Sequence, residues 1–506
     1  MPRPVRVRFA PSPTGPLHIG GVRTALFNYL FAKKHNGIFY LRIEDTDQSR
    51  YVPGAEEYIT EALNWCGIPF DEGPGKEGKY GPYRQSERKD TYRQYAQQLI
   101  DNGWAYYAFD TPESLDSKRK EEEAKGNTFI YNHANRDTLD NSLALTAEET
   151  KQRIEKGEEY VIRFKMPVGE TLNATDMVRG ALKFDTSLLD DKVLFKSDGM
   201  PTYHLANIVD DFLMETSHVI RGEEWLPSLP LHILLYKAFG WEAPEFAHLP
   251  LILKPVGNGK LSKRDGDKLG FPVFPLEWKD PKSGDTSSGY REQGYLPGAV
   301  VNFLALLGWN PGNEQELFTL DELIHLFDIE RVHKAGAKFD PDKIKWFNHQ
   351  YLQREDNEAL AKELSHVLLE KGINKTIEDV TKIVSLVKER ATFAHELWEL
   401  SDYFFIAPES YNEKAAAKQW KNDTGEILTE LTSLLQNTLD FTSANTEAVT
   451  KAWMEEKGVG MGKVMPPLRL SLVGEMKGAH LFDIMELVGK EETINRINKA
   501  VSTLSQ

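Results

Sequence analysis

Near its start, the chain changes twice between the periodicity of a strand and that of a helix. Residues 4–9 alternate apolar and basic side chains, which indicates a short strand. A turn rich in proline follows at 11–16, and apolar residues then recur at helical spacing from about Leu17 to Lys34. The run 38–43 is mostly apolar and short, as in a strand that is buried on both faces. This order of strand, helix and strand predicts a βαβ unit.

A βαβ unit brings the start of its helix and the end of its second strand to one crevice, because its two strands are parallel. We therefore expect His18 near Glu44, Asp45 and Asp47. Similar elements recur later as a helix near 205–212, a strand at 219–221, a helix at 231–239 and a strand at 249–253. We predict one parallel sheet that an insertion splits in two.

A chain of 506 residues is too long for a single core and should divide into several domains. The predicted fold is an α/β N-terminal half, with a Rossmann-type parallel sheet split by an α+β insertion, followed by an all-α C-terminal half. Within it, Glu277 to Tyr290 is rich in glycine, serine and charged residues and is expected to be an exposed loop. The predicted domain boundaries are 1–84, 85–200, 201–255, 256–345 and 346–506.

Composition excludes some classes of protein. The mean hydropathy is −0.48, and no apolar run approaches the ~20 residues that span a bilayer, so we expect a cytoplasmic protein without a membrane segment. The single cysteine, Cys66, excludes an intrachain disulfide or a zinc site with several thiolates, and is expected to be a small buried side chain. The net charge of −16 argues against a general DNA or RNA binder, but it permits a basic face for one specific folded RNA.

The turn and helix start at 8–21 suit the binding of a nucleotide. His18 lies at the expected helix start, and Gly20 and Gly21 follow it without side chains. Free N–H groups and the helix dipole favour phosphate at such a position, and His18 could donate to phosphate oxygens as charge develops on them. A lone His-x-Gly would be a weak signal. Its place between a predicted strand and a predicted helix makes it more specific.

A second candidate lies in the segment 260–264, where Lys260 and Lys263 flank Ser262 in a glycine-rich loop. Two lysines in such a loop suit a mobile cationic clamp on a polyphosphate. Taken alone, the segment is also typical of a solvated basic loop. Together with the first motif, the clamp is the better interpretation.

These two segments resemble the paired HIGH and KMSKS motifs of the class I aminoacyl-tRNA synthetases, and the resemblance is strongest to the glutamyl members. The second histidine of the first motif is replaced by Gly21, as also occurs among glutamyl enzymes. The similarity extends over most of the chain, through residues 8–47, 203–211, 220–225, 338–341 and 346–349.

The resemblance implies a glutamate–tRNA ligase reaction. Glutamate would attack the α-phosphate of ATP to give glutamyl-adenylate and pyrophosphate, and would then pass to the terminal adenosine of tRNA(Glu). The implied partners are ATP with Mg²⁺, L-glutamate and tRNA(Glu), with neither DNA nor a membrane. By the same resemblance, residues 85–200 would bind the acceptor stem, 256–345 would contact the stem and carry the lysine loop, and 346–506 would bind the anticodon. A monomer is the usual state in the family.

The site residues follow from the same resemblance. Glutamate offers two carboxylates and one ammonium, so its pocket needs at least two cations and one anion. Arg8 with Tyr203 would bind the side-chain carboxylate, Arg221 the α-carboxylate, and Glu44 with Asn207 and Ser12 the amino group, but which arginine binds which carboxylate stays open. The implied glutamate site is Arg8, Ala10, Ser12, Glu44, Tyr203, Asn207 and Arg221. The implied ATP site is Gly20, Gly21, Glu224, Trp225, Leu251, Ile252, Lys260, Ser262 and Lys263, and the implied catalytic residues are His18, Lys260 and Lys263.

Several alternatives stay open at this point. Tyr203 alone is compatible with a core position, and Arg221 alone with a surface ion pair. Residues 105–110 carry no cysteine where some bacterial relatives bind zinc, so neither zinc nor another dedicated protein metal site is expected. The competing functions are a glutaminyl-tRNA synthetase, a tRNA-modifying relative without the anticodon half, a catalytically silent tRNA-binding paralogue and a nucleotidylyltransferase. Whether tRNA(Gln) is also charged depends on anticodon contacts that the sequence does not reveal.

Overall fold

A computed structural model describes residues 3–505, and the chain divides after Ile344 into an N-terminal and a C-terminal unit. The strands of the N-terminal unit are short, and most lie before residue 254. They are β1 (Arg6–Phe9), β2 (Ile38–Leu41), β3 (Ala105–Ala108), β4 (Val161–Phe164), β5 (Thr171–Asp176), β6 (Gly180–Asp185), β7 (Val193–Phe195), β8 (His218–Gly222), β9 (Glu245–Leu249), β10 (Ile252–Leu253), β11 (Trp278–Lys279), β12 (Thr286–Ser287) and β13 (Ala337–Lys338).

The α-helices of the N-terminal unit lie between or after these strands. They are α1 (Ile19–Lys34), α2 (Ala55–Trp65), α3 (Lys89–Asp101), α4 (Pro112–Ala124), α5 (Ala147–Glu155), α6 (Tyr203–Leu213), α7 (Leu229–Phe239), α8 (Lys263–Leu269), α9 (Pro297–Leu306) and α10 (Leu320–Leu326).

The predicted βαβ unit is present. Strands β1 and β2 are parallel, with Arg6 opposite Ile38 and Phe9 opposite Leu41, and α1 connects them. The helix begins at Ile19, two residues later than predicted, because His18 keeps an extended backbone and caps the helix. The chain thus turns into α1 directly beside the carboxyl end of β1.

The later elements follow in the predicted order, although the last strand, β9, lies mostly before the predicted 249–253. Helix α6, strand β8, helix α7 and strand β9 follow in that order, and β8 and β9 are parallel. The entry to β8 lies beside β1, where the Ser217 N–H donates to Arg6 O at 2.9 Å and Ser217 Oγ accepts from Arg6 N at 2.8 Å. The two parallel pairs therefore adjoin, although they lie far apart in sequence.

Part of the segment that we expected as an insertion shares the sheet and its core. Strands β5 and β6 form an antiparallel hairpin, and the end of β5 pairs in parallel with β9 at Asp176 and Phe246. Phe164 and Leu194 of this segment are buried in one cluster with Val219 of β8. The hairpin is therefore held to the sheet by backbone pairing as well as by apolar packing.

Two local expectations were wrong. The predicted strand at 249–253 is two strands, because Pro250 interrupts it, and β10 pairs with β13 instead of continuing β9. The segment from Glu277 to Tyr290 is largely exposed, including all of 281–286, but it is not a loop throughout. Its ends form the hairpin β11–β12, in which Trp278 is buried and packs edge-on against Tyr58.

The C-terminal unit is helical, as predicted. Its longer helices carry apolar residues at helical spacing, and Leu428, Leu431 and Leu435 of one of them are fully buried. The helices are α11 (Pro341–Arg354), which begins before the boundary, α12 (Asn357–Glu370), α13 (Ile377–Val387), α14 (Glu396–Ser401), α15 (Glu413–Gln419), α16 (Thr424–Asn437), α17 (Ser443–Lys457), α18 (Met461–Val473), α19 (Leu481–Val488) and α20 (Lys490–Leu504).

Two expectations about single features can be compared with the structure. Cys66 is buried as predicted, and burial raises the pKa of its thiol to about 12. Between residues 3 and 505, none of the helices combines the length and apolar character that crossing a bilayer requires.

Candidate active site

A cavity of about 600 Å³ opens where β1, β2 and β8 end and α1 begins. Its lining comes from both halves of the split sheet and from the lysine loop. The predicted site residues that line it are Arg8, Ala10, Ser12, His18, Gly20, Gly21, Glu44, Tyr203, Asn207, Arg221, Glu224, Trp225, Leu251, Ile252 and Lys260. Ser262 and Lys263 lie outside this lining.

His18 caps α1 and lines the cavity. Nδ1 accepts from the Gly20 N–H at 3.1 Å, so this nitrogen carries no proton and Nε2 carries the ring N–H. Nε2 is buried and has no partner among the residues that the structure describes. Burial, and next the charge of Lys260, lower the pKa of His18 to about 4. The ring is therefore a neutral donor near pH 7.

The expectation of free backbone N–H groups at this helix start was wrong. The Ile19 N–H donates to Val273 O at 2.9 Å, the Gly20 N–H donates to His18, and the Gly21 N–H donates to His18 O at 2.7 Å. The helix dipole and the His18 ring can still attract an anion here. Gly21 has a packing role as well, because a Cβ at this position would lie 2.5 Å from Leu17 Cδ1.

Two buried arginines share one aspartate beneath the cavity. Asp211 Oδ1 accepts from Arg8 Nε at 2.9 Å and from Arg42 Nη1 at 2.8 Å, and Arg42 Nη2 also donates to Glu44 Oε1 at 3.0 Å. Burial acts to raise the pKa of Asp211, but the two guanidinium groups outweigh it and the net shift is downward. Arg8 Nη1 has no partner within residues 3–505 and so keeps two N–H groups for a ligand.

Glu44 and Asn207 together present acceptors to the cavity. The Asn207 amide donates to Glu44 Oε1 at 2.9 Å, which leaves Asn207 Oδ1 buried without a partner in the described chain. Glu44 is only 7% exposed. Burial raises its pKa, and Arg42, Arg8 and Asn207 offset only part of that shift. This corner of the cavity is suited to an ammonium group, which would donate to both residues.

Arg221 is held on several sides by neutral groups. Its Nη1 donates to Tyr203 Oη at 3.0 Å and to His232 Nδ1 at 3.2 Å, and its Nε donates to His248 Nε2 at 3.1 Å. In the described residues Arg221 has no carboxylate partner, although it is only 5% exposed. Tyr203 is thus a hydrogen-bond partner of Arg221, whereas we had grouped it with Arg8.

Aromatic and acidic side chains line another part of the wall. The rings of Tyr203 and Trp225 stack with their centroids 4.2 Å apart. Glu223 Oε1 accepts from the Leu251 N–H at 2.8 Å, so that backbone donor is already occupied. Trp225 as a whole is 40% exposed, so part of its ring remains available for stacking.

The lysine loop contributes Lys260 and Leu261 to the cavity lining. Lys260 Nζ donates to Glu224 Oε1 at 2.8 Å. Ser262 instead caps α8, where its hydroxyl donates to Asp265 Oδ2 at 2.6 Å, and Lys263 is the first residue of that helix. Lys263 therefore starts a helix and does not line the cavity in this structure.

The predicted neighbourhood of His18 was partly wrong. Glu44 lines the same cavity, but Asp45 and Asp47 line an adjoining cavity of about 660 Å³. The backbone leaves the strand direction after Leu41, and Asp45 turns to accept from the Ser86 N–H at 2.8 Å. The two cavities share five residues on their common wall, Ser12, Thr14, Glu44, Tyr203 and Trp225.

Sequence reasoning assigned no role to several residues that shape the site. Arg42 and Asp211 had a signal, since each is a charged residue inside an otherwise apolar stretch. Arg23 lines the cavity and donates to Leu307 O at 2.9 Å, and burial lowers its pKa to about 10. His248 had no comparable signal, because its partner Arg221 lies 27 positions away.

No group of three or more histidine, cysteine, aspartate or glutamate side chains within residues 3–505 is arranged to hold a metal ion.

Comparison with known proteins identifies two family models along the chain. The catalytic domain of class I tRNA synthetases (E and Q) matches residues 4–346, and an anticodon binding domain matches residues 358–501. The glutamate–tRNA ligase of Flavobacterium johnsoniae is 69% identical over 504 residues, with 100% of both chains covered. That of Porphyromonas gingivalis is 60% identical over 505 residues, with 99% of both covered.

Solved structures agree with these relatives. A crystal structure of a glutamate tRNA ligase from Elizabethkingia meningosepticum, in complex with its amino acid, superposes with a TM-score of 0.96 at 57% identity and covers 99% of each chain. The glutamate–tRNA synthetase of Elizabethkingia anophelis has a TM-score of 0.93 at 56% identity, covering 99% of this chain and 100% of the other.

Proposed function

This chain belongs to the glutamate–tRNA ligases of the class I tRNA synthetases, and we propose that the cavity around Arg8, Glu44 and Arg221 binds glutamate next to ATP. In the first step, an oxygen of the glutamate α-carboxylate attacks the α-phosphorus of ATP, and pyrophosphate leaves. In the second, a ribose hydroxyl of the terminal adenosine of tRNA attacks the activated carbonyl carbon, and AMP leaves.

The observation that carries the glutamate site is the buried guanidinium of Arg221 without a carboxylate partner in the described residues. A buried charge without a counter-charge is costly, so a ligand carboxylate would stabilise it. Arg8 has two free N–H groups for the second carboxylate of glutamate. Glutamine, with one carboxylate fewer, would leave one of the two arginines without an anion.

The amino group of glutamate is proposed to bind at Glu44, Asn207 and Ser12, with Ala10 completing the wall. An ammonium has three donors, and Glu44 Oε2 and Asn207 Oδ1 are acceptors without partners in residues 3–505. Tyr203 would act with Arg221, to which it is hydrogen-bonded.

ATP is proposed to lie between α1 and the lysine loop. The Nε2–H of His18 and the ammonium of Lys260 would stabilise the negative charge that develops on the α-phosphate, beside Gly20 and Gly21. Lys263 and Ser262 would join when the loop closes. Glu224, Trp225, Leu251 and Ile252 would contact the ribose and adenine.

Mg²⁺ is proposed to enter with ATP, because phosphate oxygens and water are the ligands that it prefers. No dedicated protein site and no zinc site form part of this proposal. The reaction needs no covalent enzyme intermediate, so the chain acts by positioning its substrates and stabilising charge.

The tRNA contacts are proposed from the chain order. Residues 85–200 would bind the acceptor stem of tRNA(Glu), 256–345 would contact the stem, and 346–506 would bind the anticodon, which the match of an anticodon binding domain to 358–501 supports. The proposed state is a cytoplasmic monomer.

Exchange of labelled pyrophosphate into ATP tests this proposal, with glutamate, glutamine or aspartate and with or without tRNA(Glu). Exchange with glutamate only, and only when tRNA is present, is the expected result. No exchange with any of the three amino acids, by folded protein that still binds tRNA, would instead favour a silent tRNA-binding paralogue.

A further inference from the structure

We propose that Asp176 and His248 form a positioning pair for Arg221, in which the aspartate selects the tautomer of His248 that can accept a hydrogen bond from the arginine. The proposal deepens the proposed function, because it rests on Arg221 as a ligand of glutamate. Asp176 and His248 lie outside the cavity lining and would not touch a substrate.

The geometry defines where each proton lies. Arg221 Nε carries a hydrogen and has no acceptor capacity, so His248 Nε2, at 3.1 Å from it, must be the acceptor and is unprotonated. A neutral His248 then carries its proton on Nδ1, which lies 2.6 Å from Asp176 Oδ2. An ionised aspartate has no proton to donate and can act only as the acceptor of this hydrogen bond. It therefore favours the tautomer that Arg221 requires.

The surroundings stabilise the pair in this state. Asp176 is 1% exposed and His248 is fully buried. Burial acts to raise the pKa of Asp176, but the hydrogen bonds from His248 and the Arg179 backbone outweigh it and keep the carboxyl ionised. Burial also lowers the pKa of His248, so the ring stays neutral.

A pair of histidines, His232 and His204, makes a similar arrangement at another nitrogen of the guanidinium. His232 Nδ1 lies 3.2 Å from Arg221 Nη1, and His232 Nε2 lies 3.2 Å from His204 Nδ1. Two neutral imidazoles therefore hold Arg221, and they leave its positive charge uncompensated. A carboxylate in direct contact would orient the arginine equally well, but it would compete with the substrate carboxylate.

Asp176 also occupies a special place in the chain. It ends β5, pairs with Phe246 of β9, and accepts from the Val178 and Arg179 N–H groups at 3.0 and 2.8 Å through Oδ1. Oδ1 thus serves the turn to β6 and Oδ2 accepts from the His248 ring, while the His248 backbone N–H donates to both oxygens, at 3.3 and 3.1 Å. An asparagine can keep the turn contacts and one backbone contact through Oδ1, while its amide group replaces the acceptor of the ring proton.

Asp176→Asn is the first test. The amide would donate to His248 Nδ1, move the ring proton to Nε2 and place two N–H donors against each other at Arg221. The glutamate KM in tRNA-dependent pyrophosphate exchange should rise about ten- to a hundredfold, while the ATP KM and kcat change by less than about threefold. A glutamate KM like that of the wild type would overturn the proposal, and so would an equal rise in both KM values.

A matched pair of variants at His248 separates positioning from packing. His248→Gln places an amide oxygen near the former Nε2, where it can still accept from Arg221. His248→Asn has a shorter side chain, which can replace Nδ1 but cannot reach the arginine. Glutamate KM should stay within about threefold of the wild type in the first variant and rise at least about tenfold in the second. Equal effects of the two variants would overturn the proposal.

Nitrogen NMR of protein labelled in its histidines tests the tautomer without any substrate. The His248 signal, assigned by its loss in His248→Gln, should show protonated Nδ1 in the wild type and protonated Nε2 in Asp176→Asn. The same tautomer in both proteins would overturn the proposal. If the wild type lacks glutamate-dependent exchange, the proposed function fails, and the tautomer measurement still tests the pair independently.

Discussion

Lys260 Nζ donates to Glu224 Oε1 at 2.8 Å, so a proposed phosphate ligand is paired with a proposed ribose ligand across the cavity. Both side chains are about half exposed, at 55% and 43%. Exposed ion pairs of this kind contribute little to stability, typically about 0–1 kcal/mol. Phosphate oxygens can therefore replace the Glu224 carboxylate as the partner of Lys260 when ATP binds.

The lysine loop should act on the rate and not on amino-acid binding. Lys260→Ala and Lys263→Ala should each lower the activation rate about a hundredfold and leave the glutamate KM within about threefold, because the lysines are proposed to stabilise charge that develops in the transition state. Pyrophosphate exchange measures both parameters. Lys268→Ala, on the same helix as Lys263, is the matched control and should be silent. An unchanged turnover in Lys263→Ala would contradict the closing of the loop over ATP.

The two nitrogens of His18 should have separable roles. His18→Asn keeps an acceptor for the Gly20 N–H and removes the donor at Nε2, so activation should fall about a hundredfold without loss of stability. His18→Gln places an amide donor near Nε2 and loses the cap, so it should retain more activity and lose about 1 kcal/mol of stability. Exchange kinetics and urea unfolding measure the two effects. The opposite order of activities would contradict the role of Nε2.

Glutamate affinity should fall in acid through Glu44. Burial raises the pKa of this carboxyl, and only the ionised form accepts from the substrate ammonium without donating a proton of its own. The affinity is therefore present above the raised pKa and is lost as the pH falls through it, at a higher pH than for an ordinary glutamate. Glu44→Gln should raise the glutamate KM about ten- to a hundredfold at neutral pH and flatten its acid dependence. If Glu44→Gln kept the acid dependence of the wild type, a group other than Glu44 would be responsible for that dependence.

Acid should destabilise the N-terminal unit through its buried histidines. Burial lowers the pKa of His204 to about 4, below the unfolded value of 6.5, so the unfolded chain binds more protons between these values and stability falls as the pH falls from 6.5 toward 4. His204→Asn keeps an acceptor at the Nδ1 position but cannot titrate. Between pH 7 and pH 5, the free energy of unfolding of this variant should fall by about 2 kcal/mol less than that of the wild type, as measured by urea unfolding. An equal loss in both proteins would show that His204 does not titrate as described.

Features carried by local periodicity were predictable from sequence. The spacing of apolar residues predicted β1, α1, β2, α6, β8 and α7, because each element has to bury one face. The segment near His18 and the loop at Lys260 were found because glycine, proline and charged residues cluster there. The cavity brings these two loops together.

Features that depend on distant contacts were not predictable in this way. Arg8 and Asp211 are 203 positions apart, and Asp176 and His248 are 72 apart, so no local pattern connects them. The occupied N–H group of Ile19 at the start of α1 depends on Val273, which lies far along the chain. The hairpin at Trp278 was missed because burial of one aromatic residue against Tyr58 outweighs a locally polar composition.

The most direct test of the glutamate site is calorimetric binding of a glutamyl-adenylate analogue in which a sulfamate replaces the phosphate. The wild type should bind it tightly, and Arg221→Gln should bind it about a hundredfold more weakly while still binding ATP as the wild type does, because the variant removes the buried guanidinium that is proposed to bind a substrate carboxylate. Equal affinity of the two proteins for the analogue would contradict the assignment of this cavity to glutamate.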